Sequence, residues 1–269
     1  MQSLEKLFDI SGKTALVTGG ASGIGAMITE TLVDAGCTVY IASRKRHEVD
    51  RMAAEMNANS SSGKVVALTA DLMTAQGTEG LAKQIAAATD KIDILVNNSG
   101  CTWGAPMEDF PREAWDKVLT LNVTAMSDLT RLLLPQLKAA GTADSPARII
   151  NIGSVMGTCF NGAISESDGA YSYAVSKAAV HHLTKILSNE LAAHQITVNA
   201  IAPGPFPSRM MAFAIATEEN LKAIEETIPM GRVGEPHDMA CLIRWLCSTG
   251  GSFITGAVVP IDGGMAAKP

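Results

Sequence analysis

Short, almost uninterrupted apolar runs recur along the chain and alternate with longer segments in which apolar residues return every three or four positions. The short runs are typical of strands buried on both faces of a sheet, and the longer segments are typical of helices that cover such a sheet. The seven predicted strands are residues 14–18, 39–42, 65–69, 94–96, 149–152, 198–201 and 257–261. The predicted helices are residues 25–35, 47–56, 80–88, 115–137, 174–193 and 237–247.

Strands that alternate with helices imply a parallel sheet, because each helical crossover returns the chain to the same end of the sheet. The sequence therefore predicts an α/β fold, a single-domain, doubly wound, Rossmann-type parallel sheet of about seven strands with helices on both faces. Residues 58–64 and 141–146 are polar turns that leave the alternation intact, so residues 1–269 form one predicted domain. The irregular stretch 204–227 follows the sixth strand, where such sheets bind ligands, and is a predicted substrate lid.

Composition narrows the possible functions. Hydrophobic residues make up 47% of the chain and charged residues 18%, which favours a folded core over disorder. The net charge of −6 argues against nucleic acid or an anionic membrane as a partner, and no apolar run is long enough to span a bilayer. The first twelve residues do not resemble a signal peptide and the five cysteines are scattered, so we expect a cytoplasmic setting. No metal site is predicted, because no group of residues has metal-ligand spacing.

A glycine-rich segment, TGGASGIG at residues 18–25, joins the first strand to the first long helix. Glycine allows close approach of the backbone to a pyrophosphate, and a helix N-terminus offers free N–H groups and partial positive charge. The spacing G-x-x-x-G-x-G differs from the G-x-G-x-x-G dinucleotide fingerprint, and the alternative is a glycine turn without a ligand. We favour a dinucleotide. The residues predicted to hold it here are Gly19, Ser22, Gly23, Ile24 and Gly25.

The end of the second strand predicts which dinucleotide binds. An acidic residue there hydrogen-bonds the ribose of NAD(H), whereas an arginine accommodates the extra 2′-phosphate of NADP(H). This chain has Ser43 and Arg44, followed by Lys45 and Arg46, with no carboxylate before Glu48. A guanidinium forms charge-assisted hydrogen bonds with phosphate, so Ser43 and Arg44 favour NADP(H). A solvated basic helix start is the alternative, and it applies more to Lys45 and Arg46.

Tyr173 and Lys177 lie one helical turn apart on the same face of a predicted helix. A carbonyl that is reduced needs a proton as the hydride arrives, and an ordinary phenol, with a pKa of about 10, holds its proton tightly. A nearby ammonium stabilises the phenolate, so we expect Lys177 to lower the pKa of Tyr173 towards the range that general acid/base catalysis needs. The pair alone is a weak signal, because Tyr-x-x-x-Lys is common on helix surfaces.

Together with further motifs in the same order, the sequence resembles the short-chain dehydrogenase/reductase family. These motifs are Asp71-Leu72, Asn97-Asn98-Ser99-Gly100, Asn122, Ser154, Tyr173 with Lys177, Pro203-Gly204, Gly231-Arg232 and Asp262-Gly263-Gly264. They extend over nearly the whole chain. The resemblance implies an oxidoreductase that moves a hydride between a nicotinamide and a carbonyl or secondary alcohol.

The resemblance also implies site roles. Tyr173 is expected to be the general acid/base, Lys177 to bind the nicotinamide ribose, and Ser154 to stabilise the substrate oxygen. Asn122 is expected to hold a water that links Lys177 to solvent. The further cofactor contacts that the resemblance implies are Asp71, Leu72, Asn98, Gly100, Pro203 and Gly204.

The residues also allow plainer interpretations, and two positions depart from the family pattern. Asp71 and Ser154 are alternatively helix caps, and the asparagines at 97–98 alternatively form a turn. Ser99 stands where the family usually has Ala. The separation of Ser154 from Tyr173 is longer than usual, with extra polar residues at 161–170 that we expect to border the substrate mouth.

Within the family the sequence is most similar to bacterial β-ketoacyl (3-oxoacyl) reductase-type members, including the rhamnolipid-associated branch. Residues 151–155 and 202–210 carry this likeness, which implies NADPH-dependent reduction of a 3-oxoacyl thioester or similar ketone. An alternative is a dehydrogenase that oxidises a hydroxysteroid, sugar or polyol, and a third possibility is a non-catalytic NADP-binding sensor. The candidate apolar pocket wall comprises Trp103, Met107, Cys159, Phe206, Met210, Met211 and Phe213. For each of them the alternative is an ordinary core or dimer contact.

The expected assembly also comes from the family. Its members commonly form tetramers through their long central helices and their C-terminal segment. In this chain those segments are residues 115–137, 174–193 and 256–265, and we expect a homotetramer, with a dimer as the alternative.

Overall fold

The protein is described by a computed structural model that covers residues 3–60, 62–158, 169–208, 211 and 217–267. Seven parallel strands form one sheet in the order β3-β2-β1-β4-β5-β6-β7. The strands are β1 Thr14–Thr18, β2 Thr38–Ser43, β3 Lys64–Thr69, β4 Ile94–Asn97, β5 Ala147–Ile152, β6 Ile196–Pro203 and β7 Val258–Ile261. The predicted Rossmann-type α/β fold is confirmed, and the predicted strands differ from these by a few terminal residues.

Helices cover both faces of the sheet. They are α1 Leu4–Leu7, α2 Gly23–Asp34, α3 Arg46–Asn59, α4 Ala75–Ala88, α5 Arg112–Leu119, α6 Ala125–Leu132, α7 Leu134–Ala140, α8 Tyr171–Leu191, α9 Glu218–Thr227 and α10 Pro236–Cys247. One buried apolar cluster joins α2, α3 and α10 to one face, and a second joins α4, α6 and α8 to the other. Because the central strands are buried on both faces, they carry the nearly uninterrupted apolar runs seen in the sequence.

The prediction of one helix over residues 115–137 is wrong. Residues Thr120–Thr124 form a π-helical turn between α5 and α6, and a further break separates α6 from α7. Pro135 accounts for the second break, because proline has no N–H to donate and is tolerated only in the first turn of a helix. The π-helical turn contains Asn122, and such turns are frequent at functional sites.

The interpretation of residues 204–227 as wholly irregular is also wrong, because its last ten residues form α9. The Thr217 side chain caps this helix by accepting a hydrogen bond from the Asn220 N–H at 3.1 Å. Glu218 and Glu219 lie in its first turn, where their negative charges interact favourably with the positive end of the helix dipole. Threonine followed by two glutamates is therefore a sequence signal for the start of a helix. The helix carries few apolar residues, so its periodicity is a weak signal.

Candidate active site

A cavity of about 800 Å³ opens at the carboxyl edge of the sheet. Its walls come from the segments that follow β1 to β6, together with the first turns of α8 and the last turns of α9. The predicted site residues that line it are Gly19, Ser22, Gly23, Ile24, Ser43, Arg44, Asp71, Leu72, Asn98, Gly100, Ser154, Tyr173, Lys177, Pro203 and Gly204. The other two predicted residues, Gly25 and Asn122, are buried outside this lining.

The glycine loop sets the N-terminus of α2 against the cavity. Gly19 and Gly23 have φ angles of 67° and 53°, in the left-handed region that glycine adopts readily. A Cβ on Gly25 would lie 2.2 Å from the Gly19 carbonyl oxygen, so only glycine lets the helix pack this closely on the loop. Ser22 begins the helix, but its hydroxyl makes no capping hydrogen bond. The helix start therefore offers backbone N–H groups and a hydroxyl to an anion.

Asn98 fastens the glycine loop to the end of β4. Its Nδ2 donates to the carbonyl oxygens of Thr18 at 2.9 Å and Gly19 at 3.3 Å, and its N–H donates to Thr18 Oγ1 at 3.0 Å. Asn97 lies in β4, where its Nδ2 donates to Asn151 Oδ1 on β5 at 2.9 Å. Both asparagine side chains thus form hydrogen bonds to a neighbouring strand or the loop that follows it. The alternative, that Asn97 and Asn98 only form a turn, is wrong. These contacts lie at β1 and β4, where strand order reverses and doubly wound sheets bind ligands.

Three basic side chains follow β2, but only one faces the cavity without an ionic partner. Lys45 Nζ lies 3.1 Å from Glu48 Oε1, and Arg46 Nε lies 3.3 Å from Asp50 Oδ2. Among the described residues, no carboxylate lies within 4.0 Å of Arg44, which lines the cavity beside Ser43. Arg44 is therefore the cation best placed to receive an anionic ligand.

Asp71 is exposed at the rim after β3 and does not cap α4. Its Oδ1 accepts a hydrogen bond from the Met73 N–H at 3.1 Å, whereas the Thr74 side chain caps the helix through the Gly77 N–H at 3.0 Å. The alternative interpretation of Asp71 as the helix cap is therefore wrong. Leu72 is buried beside it and also lines the cavity.

The three predicted catalytic side chains meet on one wall. Lys177 is buried, and its Nζ donates to the Ile152 carbonyl oxygen at 2.7 Å and lies 5.5 Å from the centre of the Tyr173 ring. Ser154 lies two residues after the end of β5 at Ile152, and its Oγ accepts a hydrogen bond from the Met156 N–H at 3.2 Å. Ser154 is therefore both the cap of a short 3₁₀ turn and a lining residue. Because its oxygen accepts from the backbone, its own O–H proton remains for a second partner.

Burial dominates the proton affinities of this wall. It raises the pKa of the Tyr173 phenol, and a hydrogen-bonding interaction with the Ser154 side chain opposes that rise. Burial also lowers the pKa of Lys177 to about 8. The expectation that Lys177 lowers the pKa of Tyr173 below its usual value is wrong, because loss of solvent disfavours the phenolate more than its surroundings stabilise it. At neutral pH the phenol therefore keeps its proton.

Asn122 is buried behind the cavity and joins three elements. Its Oδ1 accepts from the Cys101 N–H at 2.8 Å, and its Nδ2 donates to the Cys101 carbonyl at 3.0 Å and to Ser176 Oγ at 2.9 Å. A Cβ on Gly100 would lie 3.2 Å from Asn122 Oδ1 and 3.7 Å from Lys177 Nζ, so these two side chains flank Gly100. The role of Asn122 in a water-mediated relay stays a prediction.

The rest of the cavity wall is largely apolar. Phe206 and Met211 line the cavity as predicted, but Trp103 and Met107 do not. The Trp103 ring instead lies 5.0 Å from Lys117 Nζ, and Met107 is exposed. Residues 159, 210 and 213, and residues 161–168 of the longer loop, lie outside the described residues. Five further apolar residues line the cavity although no motif marks them individually as wall residues: Val155, Met156, Ala223, Ile224 and Met265. Ala223 and Ile224 lie in the predicted substrate lid.

Comparison with known proteins identifies the family. The family model described as enoyl-(acyl carrier protein) reductase matches residues 19–266. The chain is 43% identical to the rhamnolipids biosynthesis 3-oxoacyl-[acyl-carrier-protein] reductase of Pseudomonas aeruginosa over 96% of its own length and 97% of that protein. The chain belongs to the short-chain dehydrogenase/reductase family. It is therefore an oxidoreductase, as the order of its motifs predicted.

Two further comparisons show the range of the family. The Pseudomonas aeruginosa RhlG/NADP active-site complex superposes with a TM-score of 0.91 at 43% identity, covering 97% of this chain and 99% of that one. The 2-dehydro-3-deoxy-D-gluconate 5-dehydrogenase of Dickeya dadantii is 31% identical over 97% of this chain and 98% of its own length. Relatives of this family thus include proteins named for acyl ketones and proteins named for sugar acids.

The described residues contain no group of three or more His, Cys, Asp or Glu side chains arranged to hold a metal ion. None of the helices in that part of the chain combines the length and apolarity needed to cross a membrane.

Proposed function

We propose that this enzyme uses NADPH to reduce a ketone to a secondary alcohol, and that its substrate is a 3-oxoacyl thioester or a similar β-keto compound. The observation that carries the proposal is the meeting of Tyr173, Lys177 and Ser154 in a cavity that the glycine-rich start of α2 also lines. Acid/base groups and an anion-binding helix start in one cavity are what nicotinamide-dependent carbonyl chemistry requires.

The residues around the cavity fit NADP(H). A Cβ on Gly25 would strike the Gly19 carbonyl oxygen, so glycine lets the start of α2 pack directly on the loop. A pyrophosphate would bind at this loop. The uncapped Ser22 hydroxyl and the first N–H groups of α2 suit the same group. Ser43 and Arg44 would hold the 2′-phosphate, and Asp71 would contact the adenine. When bound, NADPH supplies the hydride that reduces the carbonyl carbon.

The chain's own groups handle the proton. The Tyr173 phenol donates its proton to the carbonyl oxygen as the carbon is reduced, and the remaining phenolate is stabilised by the Lys177 ammonium. The free O–H proton of Ser154 serves the developing charge on the substrate oxygen. Burial of Lys177 and the apolar walls keep water away, which strengthens each of these interactions.

The cofactor residues support reduction over oxidation. Arg44 lines the cavity and favours NADP(H), and NADPH usually serves reduction in cells. Tyr173 keeps its proton at neutral pH, as the general acid of a reduction requires. The name of the Dickeya relative keeps a sugar-acid dehydrogenase as the second candidate. A non-catalytic sensor has less support, because all the catalytic side chain types are present.

A substrate panel tests the proposal. Purified enzyme is mixed with NADPH or NADH and with acetoacetyl thioesters, bulky cyclic ketones, keto sugar acids and an enoyl thioester, and nicotinamide absorbance is followed. We expect NADPH oxidation with 3-oxoacyl thioesters. Turnover only with sugar acids would favour the second candidate, and turnover only with the enoyl thioester would favour the reaction in the matched family's name. Binding of NADPH without turnover on any substrate would favour the sensor.

The cofactor assignment gives a separate prediction for Arg44. Arg44→Asp should shift the ratio of kcat/KM for NADPH over that for NADH by about 10–100-fold toward NADH, because hydrogen bonds to a charged group are worth about 1.5–3 kcal/mol. Steady-state kinetics with both cofactors measure the ratio. Arg46→Asp is the matched control, because Arg46 already pairs with Asp50 on the exposed face of α3. An equal shift in both variants would show that general surface charge, and not Arg44, reads the phosphate.

We also propose a homotetramer in the cytoplasm. Val175 and Ile186 are half exposed on one face of α8, Phe253 is fully exposed, and all three lie in or near segments that the family uses for assembly. Light scattering after size exclusion should give the mass of four chains, and Ile186→Asp should yield smaller species. A monomeric wild-type chain would contradict the assembly. The four described cysteines, which are free thiols, support a reducing compartment.

Residues 204–227 are proposed to act as a substrate lid. The described part of this segment contributes Phe206, Met211 and Ile224 to the cavity wall, and α9 packs its apolar side toward the cavity. Such a segment can cover an acyl chain while the catalytic wall stays fixed on the sheet.

A further inference from the structure

A buried histidine lies on the same face of α8 as the catalytic pair, and none of the roles above uses it. Tyr173, Lys177 and His181 are spaced four residues apart, so they lie one above another along the helix. All three face the segment that follows β5. Lys177 contacts the Ile152 carbonyl at the strand end, and His181 contacts the turn that begins at Ser154. His181 is 7% exposed.

The ring of His181 contacts this turn at several points. Its Nε2 accepts a hydrogen bond from the Ser154 N–H at 3.4 Å, its Nδ1 lies 3.5 Å from Thr158 Oγ1, and the ring also hydrogen-bonds the Gly157 backbone. A Cβ on Gly153 would lie 2.1 Å from Nε2, so glycine at this position makes room for the ring. The turn that carries the Ser154 hydroxyl is thus held against α8 at both of its ends.

The contacts require a neutral imidazole. A neutral ring has one acceptor and one donor nitrogen, so an acceptor Nε2 requires the proton to sit on Nδ1, next to Gly157 and Thr158. The pKa of His181 is lowered to about 4, mainly by burial and to a smaller extent by the Lys177 and Lys185 cations, and the hydrogen bond with the Gly157 backbone opposes this shift. The ring therefore stays neutral at the pH at which the enzyme would work.

We propose that His181 is a positioning residue that fixes the Ser154 backbone, and so aims the Ser154 hydroxyl at the substrate oxygen beside Tyr173. The inference rests on the proposed function. His181 does not line the cavity, so it acts only through Ser154 and not on the cofactor. The alternative is that His181 only fills space. In that case its replacement should change kcat equally whether or not the Ser154 hydroxyl is present.

The kinetic test compares three variants with the wild type on the best ketone of the substrate panel. His181→Phe removes the acceptor and should lower kcat by about 10–100-fold, the range expected when a reacting group is misplaced by about an ångström. The Kd for NADPH should change less than about twofold, because the glycine loop and Arg44 are untouched. His181→Gln restores an acceptor and should recover most of the rate. His182→Phe, at the exposed neighbouring position, is the matched control and should leave kcat unchanged.

A double-variant comparison separates positioning from packing. In a Ser154→Ala background, His181→Phe should change kcat less than about twofold, because the hydroxyl that His181 aims is already gone. The same loss in both backgrounds, or an equal loss of NADPH affinity, would overturn the proposal. A wild-type enzyme that turns over no ketone would count against the proposed function, and the spectroscopic test below would still decide the contact.

Nuclear magnetic resonance of the ring nitrogens in the wild-type chain provides a test that needs no variant to fold. Labelled histidine should show a neutral His181 with its proton on Nδ1 and an acceptor Nε2 from pH 8 to pH 5. His237 lies on the surface beside Glu235 and serves as the internal reference for an accessible ring. A His181 ring that carries its proton on Nε2, or that becomes doubly protonated between pH 8 and pH 5, would disprove the hydrogen bond from Ser154 and with it the proposal.

Discussion

Tyr173→Phe is expected to reduce turnover by about 10²–10⁴-fold, the usual contribution of a general acid in this kind of proton transfer. The substitution removes only the phenolic oxygen, so the Kd for NADPH should stay within about twofold of the wild-type value. The phenol is partly buried on the cavity wall, and the aromatic ring that remains preserves the packing. Stopped-flow measurement of a single turnover separates loss of the chemical step from slow product release.

Tyr171→Phe is the matched control for this prediction. Tyr171 lies two residues earlier at the first position of α8, where its ring packs edge-on against Phe110 with the centroids 5.3 Å apart. It does not line the cavity, so removal of its hydroxyl should leave turnover nearly unchanged. If Tyr173→Phe kept more than about a tenth of the wild-type rate, another group would have to supply the proton, and the assignment of Tyr173 would fail.

The fold could be predicted from the sequence because its strands are buried on both faces. The run TALVT at Thr14–Thr18 is almost wholly buried, so it is predominantly apolar and stands out in the sequence. The glycines that follow it indicate where the chain turns. The residues of the glycine-rich loop could also be identified from the sequence, and the reason is physical. Gly25 is required because a Cβ there would strike the Gly19 carbonyl, and that constraint acts through neighbours only six residues away.

Other features depend on contacts between distant segments and left no local signal. The apolar wall formed by Val155, Ile224 and Met265 comes from three separate parts of the chain, and no local pattern marks these residues as neighbours. His181 looked like an ordinary histidine beside another, and only the packing of α8 against the Ser154 turn distinguishes it from His182. The raised pKa of Tyr173 has the same origin, because desolvation depends on everything that surrounds the ring.

Lys177→Met is expected to lower kcat/KM by about 10²–10³-fold, comparable to the loss of a donor that stabilises charge in the transition state. It should also weaken NADPH binding, because the ammonium borders the same cavity as the predicted ribose position. Stability should not fall in proportion, since a buried charge is costly and methionine fills a similar volume without it. Thermal unfolding beside steady-state kinetics therefore distinguishes a catalytic cation from a structural one.

The pH dependence of kcat/KM identifies which group titrates, because this constant reports the free enzyme. Lys177 has a pKa lowered to about 8, so it is charged below that pH and loses its charge as the pH rises through about 8. Tyr173 has a raised pKa and keeps its proton over this range. Reduction should therefore be constant at neutral pH and fall above about pH 8, and Lys177→Arg, which stays charged, should move that fall to higher pH. A fall that stayed near pH 8 in the arginine variant would show that a different group controls the reaction, and Lys177 would then be a binding residue alone.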